Sequence, residues 1–333
     1  MAVNVNGTRI SPGAPAAAAL TLDRALERHV PGPASWPAVT SSAPAGLVIL
    51  AYLRTHTETM KSLDPMVRRD EPDSVHQMRV ATRRLRSTLR SFKRVIGRGD
   101  HLAAELKWLG GVLGEARDAE VLEGHLQAIL RTVPVEQLIG PVQARVQIHF
   151  APVRADARTA VLAALDSQRY FSLLDELDQL VAEPCLGPQG AQRAGSVLPR
   201  EVRRPYQKAG QWMDQARRAE PGTPRDVALH QARKAAKRAR YAGEAVTPAI
   251  GRKAARFTKQ VKRFQSVLGE HQDAVIARQA ERQLGIEAYE AGENAFTYGL
   301  LYERESHHAE ELRAQARQVW KQASRPRYWN WLS

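Results

Sequence analysis

The chain reads HQMRVATRRLR over residues 76–86 and HQARKAAKRAR over residues 230–240, two copies of one pattern about 154 residues apart. On an α-helix, each copy holds its histidine and its cations in a single line, within a stripe about 80° wide. The residues in this line are His76, Arg79, Arg83, Arg86 and Arg90 in the first copy and His230, Arg233, Lys237 and Arg240 in the second. Because the phasing is the same, the repeat predicts one basic surface that is built twice.

The opposite face of both segments is apolar. Met78, Leu85 and Leu89 lie roughly 160–220° from His76 around the helix, and alanines occupy the matching face of the second copy. This spacing predicts two helices whose apolar faces pack into a core and leave the basic stripes uncovered.

A second pair of matching segments follows each basic segment. Residues 106–119 read LKWLGGVLGEARDA and residues 261–274 read VKRFQSVLGEHQDA. On a helix, small residues fall in line between a lysine and an aspartate: Lys107, Gly111, Gly114 and Asp118 in the first segment, and Lys262, Ser266, Gly269 and Asp273 in the second. Glycine inside a helix costs about 1 kcal/mol against alanine. We therefore expect a neighbouring helix or a ligand to approach these lines closely.

The chain divides into an arm, two halves and a tail. Residues 1–43 are rich in Pro, Ala, Gly and Ser, which predicts a mobile or loosely docked arm. A Pro/Gly-rich linker, 183–198, separates a first half (44–182) from a second half (199–325), and residues 326–333 form the tail.

Both halves have the apolar spacing of helices. The predicted helices are 44–63, 73–96, 101–131 and 136–181 (interrupted near Ser167) in the first half, and 199–219, 224–246, 250–284 and 286–322 in the second. We therefore expect an all-α protein made of two four-helix units. Because the period is longer than any solenoid repeat, it indicates a duplicated domain.

Composition points to a polyanionic partner. Lys and Arg outnumber Asp and Glu by 49 to 35, so the formal net charge is +14. Nucleic acid, a phosphate polymer and an acidic membrane surface all remain open on this ground. With Cys185 as the only cysteine, no intramolecular disulfide or cysteine-based zinc site is possible. The longest apolar run, 47–53, is too short to span a bilayer. We expect a cytoplasmic protein.

The first basic segment is more than an ordinary solvated helix face. Residues 74–99 contain eight Arg or Lys and no acidic residue, whereas a solvated face mixes signs because like charges at i,i+4 repel. Cations spaced by three and four residues lie roughly 5–6 Å apart along a helix. Arginine forks can each take two phosphate oxygens. The pattern therefore favours binding of an extended phosphate chain.

Residues 76–86, with the later Leu113-Gly114-x-x-Arg117-Asp118, closely resemble the CHAD domain, the conserved histidine α-helical domain. The resemblance covers roughly residues 44–325. It implies two four-helix bundles related by a pseudo-twofold axis, with a basic channel or groove between them. It also implies binding of inorganic polyphosphate and location on polyphosphate granules.

The family's histidine and basic positions match His76, Arg79, Arg83, Arg86 and Lys107 in the first half, and His230, Arg233, Lys237, Arg240 and Lys262 in the second. Two departures concern the second half. Glu244 stands where the phase of Arg90 would place a cation, and Gln272 replaces the counterpart of Arg117. Both predict that the halves engage a polymer unequally.

The remaining candidates have supporting roles. A bound polyanion would raise the pKa of His76 and His230 and favour protonation. Neither histidine has a second histidine or a carboxylate at i+3 or i+4, so we predict no metal site and no cofactor. Asp118, Asp273 and Arg117 are expected to orient nearby Arg or His side chains, although plain surface roles remain open for the aspartates.

Three function classes can be compared. Non-catalytic polyphosphate binding leads. A nucleic-acid-binding protein is the alternative, but aromatic residues make up only 6% of the chain and no RNA-recognition, helix-turn-helix or zinc-finger signature occurs. An enzyme acting on polyphosphate is disfavoured because the sequence has no glycine-rich phosphate loop and no carboxylate cluster for magnesium.

Overall fold

A computed structural model describes residues 39–97 and 99–333. The predicted arm, 1–43, lies outside these ranges apart from its last positions, 39–43. The described residues are almost entirely α-helical and contain no β-strand, only an isolated bridge between Pro44 and Arg193. The predicted all-α class is therefore confirmed.

The described chain forms a succession of long helices with short connections. The helices are α1 (Ala45–Arg68), α2 (Ser74–Ser91), α3 (Lys93–Ile96), α4 (Asp100–Leu130), α5 (Val142–Leu165), α6 (Gln168–Ala182), α7 (Ala194–Arg218), α8 (Thr223–Ile250), α9 (Arg252–Glu290), α10 (Phe296–Ala323) and α11 (Pro326–Trp329). Short 3-10 turns occupy Val135–Gln137 and Asn330–Leu332. Both basic segments lie in long helices, α2 and α8, as predicted.

Local chemistry sets the helix ends. The predicted interruption near Ser167 is confirmed, because the Ser167 hydroxyl accepts a hydrogen bond from the backbone N–H of Tyr170 and caps α6. The N-terminus of α8 lies one residue earlier than predicted, because the helix begins at Thr223 with Gly222 as its N-cap, and Pro224 lies in the first turn. Proline suits this position because its missing N–H has no helical partner there.

One predicted junction is wrong. The expected break between the last two long helices at Gly285 does not occur, and Gly285 lies within α9. The glycine permits close packing, since a Cβ at 285 would stand 3.2 Å from Cβ of Tyr298 on α10. The chain turns later, where Gly292 has a φ of +74° and the Asn294 side chain accepts from the backbone N–H of Phe296 at 2.8 Å.

The two halves share one hydrophobic core. Buried residues from the first half, such as Leu53 and Met78, form a single cluster with Ala239 and Phe257 of the second. Across this boundary α2 packs against α8. A smaller cluster joins the far ends of α4, α5, α9 and α10. The shared core holds the two basic helices side by side.

The linker and the tail are also packed. The backbone N–H of Gly187 donates to Val95 at 2.9 Å, and that of Gly46 donates to Gly190 at 2.8 Å, so the linker is fixed to the first half. In the tail, Leu332 is fully buried and the Trp331 ring lies 5.7 Å from that of Phe257. No helix of the described ranges combines the length and apolar character needed to cross a membrane.

Candidate functional site: a cationic cavity between the halves

A cavity of about 300 Å³ lies where α2 and α8 meet. Both halves contribute side chains to its walls. The lining consists of Arg79, Arg83, Asp118, Val121, Leu122 and His125 from the first half and His230, Arg233, Lys237, Gln272, Asp273 and Ile276 from the second. The two basic stripes predicted from the sequence therefore converge on one cavity.

The small residues predicted on α4 and α9 lie beneath the innermost arginines. A Cβ at Gly114 would stand 3.5 Å from Nη2 of Arg79, and a Cβ at Gly269 would stand 3.8 Å from Nε and Nη2 of Arg233. The close approach expected from the sequence is thus made by an arginine side chain in each half. In each half the guanidinium therefore packs against the helix that carries the small residues.

Each of these arginines faces an aspartate. Nη2 of Arg79 lies 3.0 Å from Oδ1 of Asp118, and Nη2 of Arg233 lies 4.0 Å from Oδ1 of Asp273. The Nε donors of Arg79, Arg83 and Arg233 are shielded from solvent and meet no acceptor in the described chain. A buried donor without an acceptor is costly, and three of the four Arg and Lys side chains that line the cavity carry one.

Lys237 is the most perturbed cation of the site. Burial, followed by the charges of Arg233, Arg83 and Arg79, lowers the pKa of its ammonium group to about 7. Burial also raises the pKa of Asp273, although the charges of Arg233 and Lys237 act in the opposite direction and lower it. Crowded cations in a poorly solvated cavity repel one another, so negative charge arriving there is strongly stabilised.

The basic surface continues beyond the cavity along α2. Burial and then the charges of Arg90 and Arg238 lower the pKa of Arg86, so these three cations lie close enough to interact. None of them forms an ion pair with a described residue. Past Arg90, a further cavity of about 420 Å³ is lined in part by Arg94 and Arg204. The cations therefore extend from the central cavity towards the linker.

Lys107 and Lys262 lie beside this surface rather than in the cavity. The contacts of Gly114 with Arg79 and of Gly110 with Thr82 show that α4 runs antiparallel to α2. This register places Lys107 level with Arg86, and the contact of Gly269 with Arg233 places Lys262 level with Arg240 in the same way. Both lysines are exposed.

Comparison with known proteins identifies this arrangement. The sequence matches the family model of the CHAD domain over residues 51–282. The chain belongs to the CHAD domain family.

Relatives and solved structures agree with this assignment. The uncharacterized proteins MT2285 and Rv2226 of Mycobacterium tuberculosis (strains CDC 1551 / Oshkosh and ATCC 25618 / H37Rv) are each 39% identical over 254 residues, 76% of this chain and 48% of theirs. The chain thus spans about half the length of these relatives.

Two solved structures resemble the fold. The CHAD domain from the plant Ricinus communis superposes with a TM-score of 0.61 and 26% identity, over 87% of this chain and 97% of that one. PptA from Streptomyces chartreusis gives a TM-score of 0.65 at 23% identity, over 84% of this chain and all of the other, and shows the fold alone.

In this CHAD domain the second basic stripe ends in ion pairs. Glu244 accepts from Nη1 of Arg240 at 3.0 Å and from Nε of Arg84, on α2, at 3.3 Å. Arg240, predicted as a phosphate ligand, is therefore already paired with a carboxylate. With Arg84, Glu244 also forms an ion pair between the two halves.

The two motif histidines have different surroundings. Nδ1 of His230 lies 2.5 Å from Oε1 of Gln272, and both residues line the cavity. His76 is not part of the lining. Burial and then the charge of Arg117 lower the pKa of His76, while Arg117 pairs with Glu120 at 2.8 Å. Arg117 therefore lies close enough to His76 to act on it by charge repulsion.

Sequence reasoning missed four lining residues, Val121, Leu122, His125 and Ile276. The helical period could have found them, because each lies three, four or seven residues after Asp118 or Asp273.

His125, which lines the cavity, contacts a buried acid. Its Nε2 lies 2.9 Å from Oε1 of Glu305, and this hydrogen bond raises the pKa of His125. Glu281 behind it is fully buried, and burial followed by the charge of Glu305 raises its pKa to about 8. Within the described residues, no group of three or more potential ligands is placed to hold a metal ion.

Proposed function

We propose that this CHAD domain binds inorganic polyphosphate in the cavity between its halves. The observation that carries the proposal is the convergence of Arg79 and Arg83 with Arg233 and Lys237 on one cavity. These cations belong to helices from different halves, so an anion held among them neutralises charge on both. A phosphate chain, with its negative charge on every unit, suits such a site.

The proposed path runs from the cavity along α2 towards the linker. In the direction of His125 the cavity meets acids, since His125 is hydrogen-bonded to Glu305 and also interacts with Glu281. In the other direction Arg86, Arg238 and Arg90 offer cations that no described carboxylate neutralises. A chain that continued past the cavity would therefore follow the first basic stripe.

The lining favours polyphosphate over single-stranded nucleic acid, the alternative partner. Proteins that hold single strands stack the bases on aromatic rings. The described lining of the cavity contains Val121, Leu122 and Ile276 but no Phe, Tyr or Trp. A chain without bases needs only the cations.

We also propose that the domain holds the polymer without cleaving it. The carboxylates of the cavity, Asp118 and Asp273, come from opposite halves and each faces an arginine. Each carboxylate therefore faces a cation of the protein. Phosphate release from polymer incubated with magnesium or manganese should stay at the level of a protein-free control, and release proportional to protein concentration would contradict this part of the proposal.

Direct binding tests the central claim. Wild type should bind long-chain polyphosphate with an affinity that falls steeply with salt, and Arg83→Ala and Lys237→Ala should each flatten the log–log slope by roughly 1. Arg218→Ala, an exposed arginine outside the cavity, is the matched control. Unchanged slopes in both variants, or displacement of the polymer by equimolar single-stranded DNA or RNA, would count against polyphosphate as the ligand.

In cells that store the polymer, the same affinity should bring the protein to polyphosphate granules. A fluorescent fusion should overlap with stained granules, and the Arg83→Ala/Lys237→Ala double variant should spread through the cell. A double variant that stays on granules would show that another surface directs localisation.

A further inference from the structure

A second cavity lies on the far side of the second half, between α7, α8 and α10. Its volume is about 210 Å³. It shares no lining residue with the central cavity, and four of its eight lining side chains are arginines: Met213, Ala216, Arg217, Arg225, Leu229, Glu310, Arg313 and Arg317. We call it the outer pocket.

Arg313 is held rigidly at the base of the outer pocket. Its Nη2 lies 3.0 Å from Oδ1 of Asp226, and its Nε donates to Nε2 of His271 at 3.2 Å. All three side chains are largely buried, with exposed fractions of 12% for Arg313, 13% for Asp226 and 2% for His271. Supporting groups that fix a guanidinium in this way preorganise it for a ligand.

Arg225 and Arg317 bring positive charge that the protein does not neutralise. The guanidinium of Arg225 donates to the backbone carbonyl of Ala219 at 2.9 Å, which orients the group without cancelling its charge. Arg317 is exposed and forms no ion pair with a described residue. Asp226 and Glu310 pair with Arg313, and Asp214 pairs with Arg217 at 3.6 Å, so the cationic excess at the outer pocket comes from Arg225 and Arg317.

The floor of the outer pocket is apolar. Met213, Ala216 and Leu229 are buried in the core beneath it. An apolar floor limits the solvation of charges above it and so strengthens their attraction for an anion. The volume leaves room for several water-sized groups, which is enough for a diphosphate and too little for a long folded chain.

We propose that the outer pocket is a second anion site, which takes a small oligophosphate: free pyrophosphate or the end of a phosphate chain. Arg313 supplies a fixed donor, and Arg225 and Arg317 supply charge that no described carboxylate neutralises. The site is separate from the central cavity and does not depend on the function proposed for it.

Equilibrium dialysis with radiolabelled pyrophosphate tests the proposal on the full chain. In an Arg83→Ala/Lys237→Ala background, where the central cavity is disabled, we expect one equivalent to bind. Adding Arg225→Ala and Arg317→Ala should weaken this binding about tenfold or more, because two charge-assisted donors are lost. Adding Arg218→Ala instead, at the C-terminal end of α7, should leave it unchanged.

Two results would overturn the outer pocket as an anion site. One is a background variant that binds no pyrophosphate, and the other is equal affinity with and without Arg225 and Arg317. If loss of Arg225 impairs folding, as judged by the melting midpoint, Arg317→Glu alone carries the test, since its side chain is exposed. Displacement of bound pyrophosphate by long-chain polymer would assign the site to chain ends, whereas no displacement would assign it to free diphosphate.

Discussion

The first and second halves bring the same helix pair to the cavity, yet they differ in what opposes their cations. On α2 the basic stripe continues through Arg86 to Arg90, and neither forms an ion pair with a described residue. On α8 the equivalent stripe stops at Arg240, which Glu244 neutralises at 3.0 Å. The first half therefore offers a longer open row, and the second half contributes mainly at the cavity.

The histidines repeat this contrast. His76 faces the charge of Arg117, whereas His230 is bonded to the neutral Gln272. The two halves thus present the same sequence pattern on α2 and α8, but they differ at a few positions that face the cations. We therefore expect a polymer to contact the two halves unequally. Single substitutions on α8 can measure how much each of its cations contributes to affinity.

The largest expected effect is a difference in polyphosphate affinity between substitution of a cation without an ion pair and substitution of a paired cation on the same helix. Lys237→Ala should weaken polyphosphate binding roughly 10- to 100-fold, the range for a lost charge-assisted hydrogen bond. Arg240→Ala should cost much less, because Arg240 is already paired with Glu244. Titrations at one fixed salt concentration compare the two, and equal losses would mean that Glu244 releases Arg240 to the polymer.

The next effect concerns pH. The free-protein pKa of Lys237 is about 7, below the ordinary lysine value, and bound phosphate raises it. Binding above pH 7 therefore takes up a proton, and affinity should fall by up to about tenfold per pH unit from pH 7 to 8.

The stability of the free protein should change with pH in the opposite direction to the affinity, because of the same group, Lys237. The folded state holds the neutral amine, while the unfolded chain keeps it protonated up to about pH 10. The contribution of Lys237 to the free energy of unfolding therefore rises with pH between about pH 7 and pH 10. Lys237→Arg should remove both trends. Calorimetry in two buffers of different ionisation enthalpy measures the proton, and equal proton uptake in wild type and variant would refute the assignment.

A smaller effect should come from lengthening the second stripe. Glu244→Gln removes the charge that neutralises Arg240 and should tighten binding of long chains about threefold, within the range measured for partly exposed ion pairs. Short chains confined to the cavity should bind as before. Because Glu244 also pairs with Arg84, the variant should melt at a slightly lower temperature. An equal gain for tripolyphosphate and for long polymer would show that Glu244 acts on the cavity itself.

The smallest effect is expected at Asp118. Its side chain is 70% exposed and lies 3.0 Å from Nη2 of Arg79, so the carboxylate is well solvated. Asp118→Asn should free Arg79, remove a negative charge from the cavity and tighten binding about twofold. Asp273→Asn on the more buried counterpart gives the matched comparison. Weaker binding in Asp118→Asn would instead support the orienting role predicted from the sequence.

Much of the fold was readable from helical spacing. The long helices and the break at Ser167 follow from apolar periods and capping residues. The helix break predicted at Gly285 was wrong because glycine can either end a helix or permit close packing, and only the contact with Tyr298 distinguishes these two roles. The shared core was not readable, since a period shows that a face is buried but not which half covers it.

The residues of the site could be predicted from the sequence to a similar extent. The stripe pattern selected Arg79, Arg83, Arg233 and Lys237, which do line the cavity. The same pattern gave His76 equal weight with His230, although only the latter lines it. Which of two equivalent positions faces a cavity depends on how the helices cross, and a sequence does not give the crossing.

The sequence by itself determined the repeated cationic helix, the small residues that follow it and membership of the CHAD family, because these depend on residue type and on a period set by backbone hydrogen bonds. The tertiary structure alone decided that the stripes converge, that Arg240 is neutralised while Arg90 is not, and that the pKa of Lys237 falls to about 7. These depend on distances between residues far apart in the chain, and electrostatic energies vary with distance and burial.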